Sequence, residues 1–209
     1  MENVLLFGGT FNPPHLGHIE LTDRVRKRLN IDKVILIPLG NPPHKVGMDI
    51  EDAKHRVKML ELAIENKDSF EVSRIEVERK GYTYTIDTLK EFDRLYHDRY
   101  NFFYLIGADT LEQLTTWKDF EEVFKLCSFV VVLRKGYTKK KAYEIANMLE
   151  LQYGADIKIL DIGNIDVSST KVREMIRRGE SIDNLVPNKV AEYIRSNNLY
   201  AERENSYEL

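Results

Sequence analysis

The apolar run Val4-Leu5-Leu6-Phe7 stops at Gly8-Gly9 and gives way to Thr10-Phe11-Asn12-Pro13-Pro14-His15-Leu16-Gly17-His18. An apolar run this short that ends in glycine reads as a buried strand entering a tight loop. From Leu16 the pattern changes, and Leu16, Ile19, Val25 and Leu29 recur at helical intervals that face one core. Strand, glycine loop, helix is an arrangement that holds phosphate. Glycine lets backbone N–H groups approach, and a helix N-terminus favours an anion. His15 and His18 stand three residues apart at that helix start, which puts both imidazoles on one side of the first turn.

The same alternation continues along the chain. Strand-like runs at Val4–Phe7, Lys33–Pro38, Phe70–Val77, Phe102–Ile106, Phe129–Leu133 and Ile157–Leu160 are separated by amphipathic stretches near 16–29, 51–66, 85–97, 109–125 and 138–152. This predicts an α/β fold, a doubly wound, Rossmann-like parallel sheet covered on both faces. Two more helices, near 169–178 and 187–197, have no strand between them and are expected to form a C-terminal helical cap. Residues 1–200 are thus read as one domain, with 167–200 as its C-terminal helical part and the polar stretch 201–209 as a frayed tail. A chain of 209 residues, 43% of them hydrophobic, has enough material for one such core.

Charge and cysteine content exclude several classes. A net charge of −3 gives no basic field for nucleic acid or an anionic membrane. The lone Cys127 excludes an internal disulfide framework and, standing just before Phe129–Leu133, reads as a buried structural thiol. Met1-Glu2-Asn3 is not basic and no apolar stretch is long enough to span a bilayer, so a cytoplasmic location is expected. The oligomeric state stays open, a homo-oligomer included.

In doubly wound sheets ligands bind beyond the carboxyl ends of the strands. The segments there, Gly8–His18, Gly40–Lys45, Gly107–Asp109, Arg134–Gly136 and Asp166–Arg173, hold most of the unusual polar residues, which favours one composite site. Neither G-x-G-x-x-G nor G-x-x-x-x-G-K-[ST] occurs, which argues against a Rossmann dehydrogenase and a P-loop NTPase. Zinc binding by the histidine pair lacks the further ligands of a local metal cluster. Ser168 or Ser169 reads either as an N-cap or, with Lys171 and Arg173, as a phosphate contact. Trp117, with Leu114 and Phe120, has helical spacing that suits a core position. Thr85 fits the cap of a helix beginning at Ile86, and such a helix start also attracts a carboxylate. Asp109 fits an N-cap after Gly107-Ala108, and Arg134 an ordinary solvated arginine.

His15-Leu16-Gly17-His18 after a first strand, with the late Ser168-Ser169-Thr170-Lys171-Val172-Arg173, resembles the nucleotidyltransferase superfamily of α/β phosphodiester-forming enzymes. Asn41-Pro42-Pro43-His44-Lys45, Tyr84-Thr85-Ile86-Asp87-Thr88-Leu89 and Gly107-Ala108-Asp109 narrow the resemblance to the bacterial nicotinate mononucleotide adenylyltransferases. The ordered set runs from Leu5 to about Leu199, with Val167 where isoleucine is common.

That resemblance implies adenylyl transfer from ATP to nicotinate mononucleotide in NAD biosynthesis, giving deamido-NAD and pyrophosphate. Mg²⁺ would accompany ATP, with no metal held by the protein itself. It implies His18, with His15 and Arg173, as the catalytic groups. ATP would lie on Gly8, Gly9, Thr10, Phe11, His15, His18, Gly107, Asp109, Arg134, Ser169, Thr170 and Arg173. The mononucleotide would lie on Asn41, His44, Lys45, Tyr84, Thr85, Asp109 and Trp117. The Asn41–Lys45 and Tyr84–Leu89 motifs argue against a phosphopantetheine acceptor and leave nicotinamide mononucleotide open. A non-catalytic nucleotide sensor on the same fold predicts loss of the histidines or of the late basic motif, and both are present.

Overall fold

The computed structural model describes residues 1–41, 50–96, 99–133, 137–163 and 166–201. Among them, six strands form one sheet: β1 (Glu2–Gly9), β2 (Lys33–Pro38), β3 (Phe70–Val72), β4 (Tyr100–Gly107), β5 (Ser128–Val132) and β6 (Ile157–Leu160). All neighbours run parallel, in the order β3-β2-β1-β4-β5-β6. The helices of the described residues are α1 (Leu16–Leu29), α2 (Ala53–Ile64), α3 (Thr85–Tyr96), α4 (Ala108–Leu111), α5 (Phe120–Leu126), α6 (Lys139–Tyr153), α7 (Ser169–Arg177) and α8 (Asn188–Ser196).

Side-chain alternation along the strands explains the layering. Val4 and Leu6 of the central strand join Tyr104, Phe129 and Val131 in a core closed by Ile86, Leu89 and Phe92 of α3, Phe124 of α5 and Ala146 of α6. Leu5 points the other way and joins Leu36, Leu105 and Val130, covered by α1, α2, α7 and α8. Both faces are therefore apolar, as a parallel sheet requires. The C-terminal α7 and α8 lie in this second layer, where Val172, Val190 and Ile194 are buried.

Two elements differ from the sequence expectation. The strand expected over Phe70–Val77 stops at Val72. Beyond it the chain turns, with the Glu78 N–H on the Arg74 carbonyl and the Arg79 N–H on the Glu76 carbonyl, and Glu76 is carried inward. The helix expected over 109–125 is three pieces: α4, a 3-10 turn at Leu114–Thr116, and α5. Trp117 between them is extended and Asp119 is left-handed with φ 51°. Leu111, Leu114, Val123 and Phe124 are still all buried. Helical spacing of apolar residues records their burial, and here short pieces achieve it.

The strand order reverses direction at β1. Its next strand, β2, lies on one side and β4 on the other, so the loops leaving β1 and β4 diverge and open a crevice at the carboxyl end of the sheet.

Candidate active site

At the end of β1 the chain is packed against aromatic rings. A Cβ on Gly8 would come within 2.6 Å of the Tyr104 hydroxyl, and one on Gly9 within 2.9 Å of the Phe11 ring. These glycines thus make room for side chains, a reason for them that the sequence does not display. Phe11 adopts φ 50° and is 1% exposed, so of the expected nucleotide contact it can offer only main chain. Its ring stands edge-on to His18 at 5.0 Å, underpinning that imidazole.

His15 is the N-cap of α1 and is buried. Its backbone N–H donates to His18 Nδ1 at 3.1 Å. An Nδ1 that accepts a hydrogen bond leaves the proton of the neutral ring on Nε2, so His18 is set up as an Nε2–H donor. The two rings stack with centroids 3.6 Å apart. The Leu16 N–H at the helix start is already committed to the Leu185 carbonyl at 2.9 Å, while Gly17 lines the cavity beside the histidines.

The late basic motif closes the other wall. Ser168 caps α7, accepting the Lys171 N–H at 3.2 Å. The Ser169 hydroxyl donates to the Pro13 carbonyl at 2.8 Å, and Arg173 Nη1 to the Asn12 carbonyl at 2.7 Å. Arg173 Nη2 reaches Thr170 Oγ1 at 3.4 Å. Ser169 and Arg173 therefore brace the histidine loop. Between α1 and α7 lies a cavity of about 460 Å³. Val132, Leu133 and Ile162 supply its apolar side, and His15, His18, Ser168 and Lys171 its polar side. That is the size range and mixture of a nucleotide pocket.

Across Gly8, two of the residues expected at the acceptor, Thr85 and Trp117, meet at Tyr104. Burial pushes the Tyr104 phenol up, against the side chain of Thr85, which pulls it the other way. Trp117 is half-buried, edge-on to Tyr104 at 6.1 Å and to Phe129 at 6.2 Å, so its rim belongs to the core. α3 begins at Thr85 itself, and the Tyr84 carbonyl accepts the N–H groups of Asp87 and Thr88. Thr85 is therefore the first helical residue and not the cap expected of it. Its N–H and that of Ile86 have no acceptor within the helix. Gly107, and not Asp109, is the N-cap of α4, and Asp109 lies exposed in the first turn. Asn41 is exposed, and its carbonyl accepts the Thr83 N–H. His44, Lys45 and Arg134 lie outside the described residues.

Several contributors carry no signal in the sequence. Tyr104 looked like one more strand residue. Lys118 holds its ammonium 4.6 Å over the Tyr84 ring and 3.5 Å from Asp87. Arg56 is 3% exposed and donates from Nη1 to the Thr10 carbonyl at 3.0 Å and from Nε to the Glu51 carbonyl at 2.9 Å. Burial lowers its pKa, yet a guanidinium stays charged at any ordinary pH. No local spacing announces such a pairing.

Among the described residues, no group of three or more His, Cys, Asp or Glu side chains is placed to hold a metal ion, and no helix is long and apolar enough to cross a membrane. Cys127 is buried, and burial pushes its thiol up.

Residues 6–175 match the family model described as cytidylyltransferase-like. A protein of Thermoanaerobacter sp. (strain X514) described as a probable nicotinate-nucleotide adenylyltransferase is 41% identical over 199 residues, 95% of this chain and 94% of that protein. One of the same description from Clostridium novyi (strain NT) is 42% identical over 200 residues, 96% of this chain and 100% of that protein. Among solved structures, the Plasmodium falciparum nicotinic acid mononucleotide adenylyltransferase complexed with NaAD superposes with a TM-score of 0.74 at 18% identity, covering 96% of this chain and 98% of that one. At that identity the likeness is one of fold.

Proposed function

This chain belongs to the cytidylyltransferase-like family and, within it, to the nicotinate-nucleotide adenylyltransferases, and we infer from that membership that it transfers the adenylyl group of ATP to nicotinate mononucleotide. The products are deamido-NAD and pyrophosphate, a step of NAD biosynthesis. Residues 1–200 act as one nucleotidyltransferase unit.

An oxygen of the mononucleotide phosphate attacks the α-phosphorus of ATP. A new P–O bond forms as the bridge to the β-phosphate breaks, and pyrophosphate leaves with the electron pair. The attacking phosphate monoester has a second pKa near ~6, so it is largely ionised at neutral pH and needs no general base. Catalysis then rests on positioning and electrostatics. His18 donates its Nε2–H to an α-phosphate oxygen, and the positive end of α1 adds to the same field. Lys171 and Arg173 meet the leaving pyrophosphate. Mg²⁺ bound with ATP would screen the triphosphate charge, and no side chain of this chain is needed to hold it. Among the described residues the polar groups lining the cavity are imidazoles, hydroxyls, Lys171 and the single carboxylate of Asp166, a set that suits a cation travelling with its nucleotide.

ATP occupies the cavity between α1 and α7, with Gly107 and Asp109 toward its ribose, and the sequence resemblance adds Arg134 to its contacts. The acceptor lies across Gly8, its pyridine ring on Trp117 and its carboxylate at the start of α3 near Tyr84, Thr85 and Lys118. Asn41 flanks it, and the sequence resemblance adds His44 and Lys45 to its contacts. The observation that carries this reading is the histidine pair, locked by its own hydrogen bond at the cavity wall.

The test is pyrophosphate release from ATP and Mg²⁺ with either the acid or the amide mononucleotide. Release with the acid is expected, at a kcat/KM about 100-fold or more above the amide. No release with either overturns the function, and equal rates remove the carboxylate seat.

A further inference from the structure

One buried carboxylate has no part in the chemistry above. Glu76 is 2% exposed and lies in the turn after β3. Its Oε1 accepts the Thr88 hydroxyl at 2.9 Å, and its Oε2 accepts the Gly40 N–H at 3.4 Å. Arg79 extends the row, donating from Nη1 to Thr88 Oγ1 at 3.0 Å and from Nη2 to Glu91 Oε2 at 3.0 Å. The backbone closes on the same place. A Cβ on Gly40 would fall 2.2 Å from the Glu76 carbonyl oxygen, so only glycine fits there without moving main chain. One residue on, the Asn41 carbonyl takes the Thr83 N–H at 3.1 Å.

Burying a carboxylate is costly, and the hydrogen bonds to Thr88 and Gly40 both reach out of its own turn. What it joins is informative. Gly40 and Asn41 are the exit of β2, and Thr88 is one turn into α3, whose first residue Thr85 meets Tyr104, the ring that crowds Gly8. On the reading above these are two walls of the acceptor seat. Resting on that reading, we propose that Glu76 is a positioning residue for nicotinate mononucleotide, clamping the β2 exit to the first turns of α3. The clamp sets the distance between Asn41 on one side and Tyr84-Thr85 on the other, while ATP binds on the far side of β1.

The carboxylate meets a donor at each oxygen, which an amide cannot do. Glutamine in this place turns its NH₂ either toward the Gly40 N–H or toward a Thr88 hydroxyl already accepting from Arg79. Thr88→Val removes the helix end of the clamp at nearly constant volume and leaves the carboxylate in place.

Steady-state kinetics and amide hydrogen exchange on Glu76→Gln and Thr88→Val test the proposal. Both variants should raise KM for nicotinate mononucleotide about tenfold, with KM for ATP and kcat within about twofold. Exchange at Gly40 and Thr83 should quicken about tenfold while β1 and β4 keep their protection. A rise in both KM values together with a lower Tm assigns Glu76 a merely structural role and overturns the clamp. Unchanged exchange at Gly40 and Thr83 overturns it as well. Wild-type protein that releases no pyrophosphate with nicotinate mononucleotide overturns the proposed function instead, and exchange at those two amides still decides whether the clamp exists.

Discussion

The imidazoles of His15 and His18 lie face to face, with centroids 3.6 Å apart and planes 21° from parallel. The backbone of one residue is hydrogen-bonded to the ring of the other, and Phe11 supports that ring from beneath. A donor fixed this way pays no reorganisation when charge develops on a phosphate, which is what makes preorganised hydrogen bonds effective in catalysis.

His18→Ala should therefore lower kcat by about 10²–10³, the usual effect of deleting one such donor, with KM for ATP within about threefold. Steady-state rates of pyrophosphate release measure it. A kcat within tenfold of wild type would place the transition-state contact elsewhere.

Gly8→Ala should destabilise the fold by about 1–3 kcal/mol through overpacking on the Tyr104 hydroxyl, read as a lower midpoint in urea. Tyr104→Phe removes the nearest clashing atom, so the double variant should recover at least half of that loss. Strict additivity of the two changes would show that the ring does not explain the glycine.

Trp117 is the only tryptophan, so intrinsic fluorescence reports its surroundings directly. Nicotinate mononucleotide should alter the emission in a saturable titration. Trp117→Ala should raise KM for that substrate about tenfold, and Trp117→Phe by much less. Unfolding of Trp117→Ala beside a silent titration would reduce the residue to its core contacts with Tyr104 and Phe129.

Glu76 gives stability a recognisable pH dependence. Burial holds its carboxyl above the ordinary carboxylate value, opposed by the Thr88 hydroxyl, the Gly40 N–H and the Arg79 charge. A folded-state pKa that is raised contributes stability fully present below the unfolded value and lost as pH rises through the folded one. Wild type should thus lose Tm relative to Glu76→Gln on going from acid to neutral pH. A difference that stays constant, or that changes in the opposite sense, contradicts the assignment.

How far such features can be read from a chain depends on where their partners come from. Strands Lys33–Pro38 and Ile157–Leu160 and the side-by-side histidines follow from local spacing, and local spacing is enough for them. Glu76 was hidden because it sits in an alternating stretch that mimics a strand, and its partner Gly40 is 36 residues away. Arg56 was hidden likewise, since its acceptor on Thr10 lies 46 residues back. In the sequence Gly8 and Gly9 mark the strand end and signal backbone access, whereas the contacts that require glycine there are with the rings of Tyr104 and Phe11. Thr85 and Asp109 looked like caps because their residue types favour that role, but the preceding residues take it.

The bond from Arg173 to the Asn12 carbonyl spans 161 residues of chain. A ribosome adding about 5–20 residues per second exposes the histidine loop first and its brace roughly 8–32 seconds later. Throughout that interval the nascent chain carries the imidazoles but not the wall that steadies them. Competence to handle ATP is then among the last properties the molecule acquires, and a chain cut short before α7 is born without it.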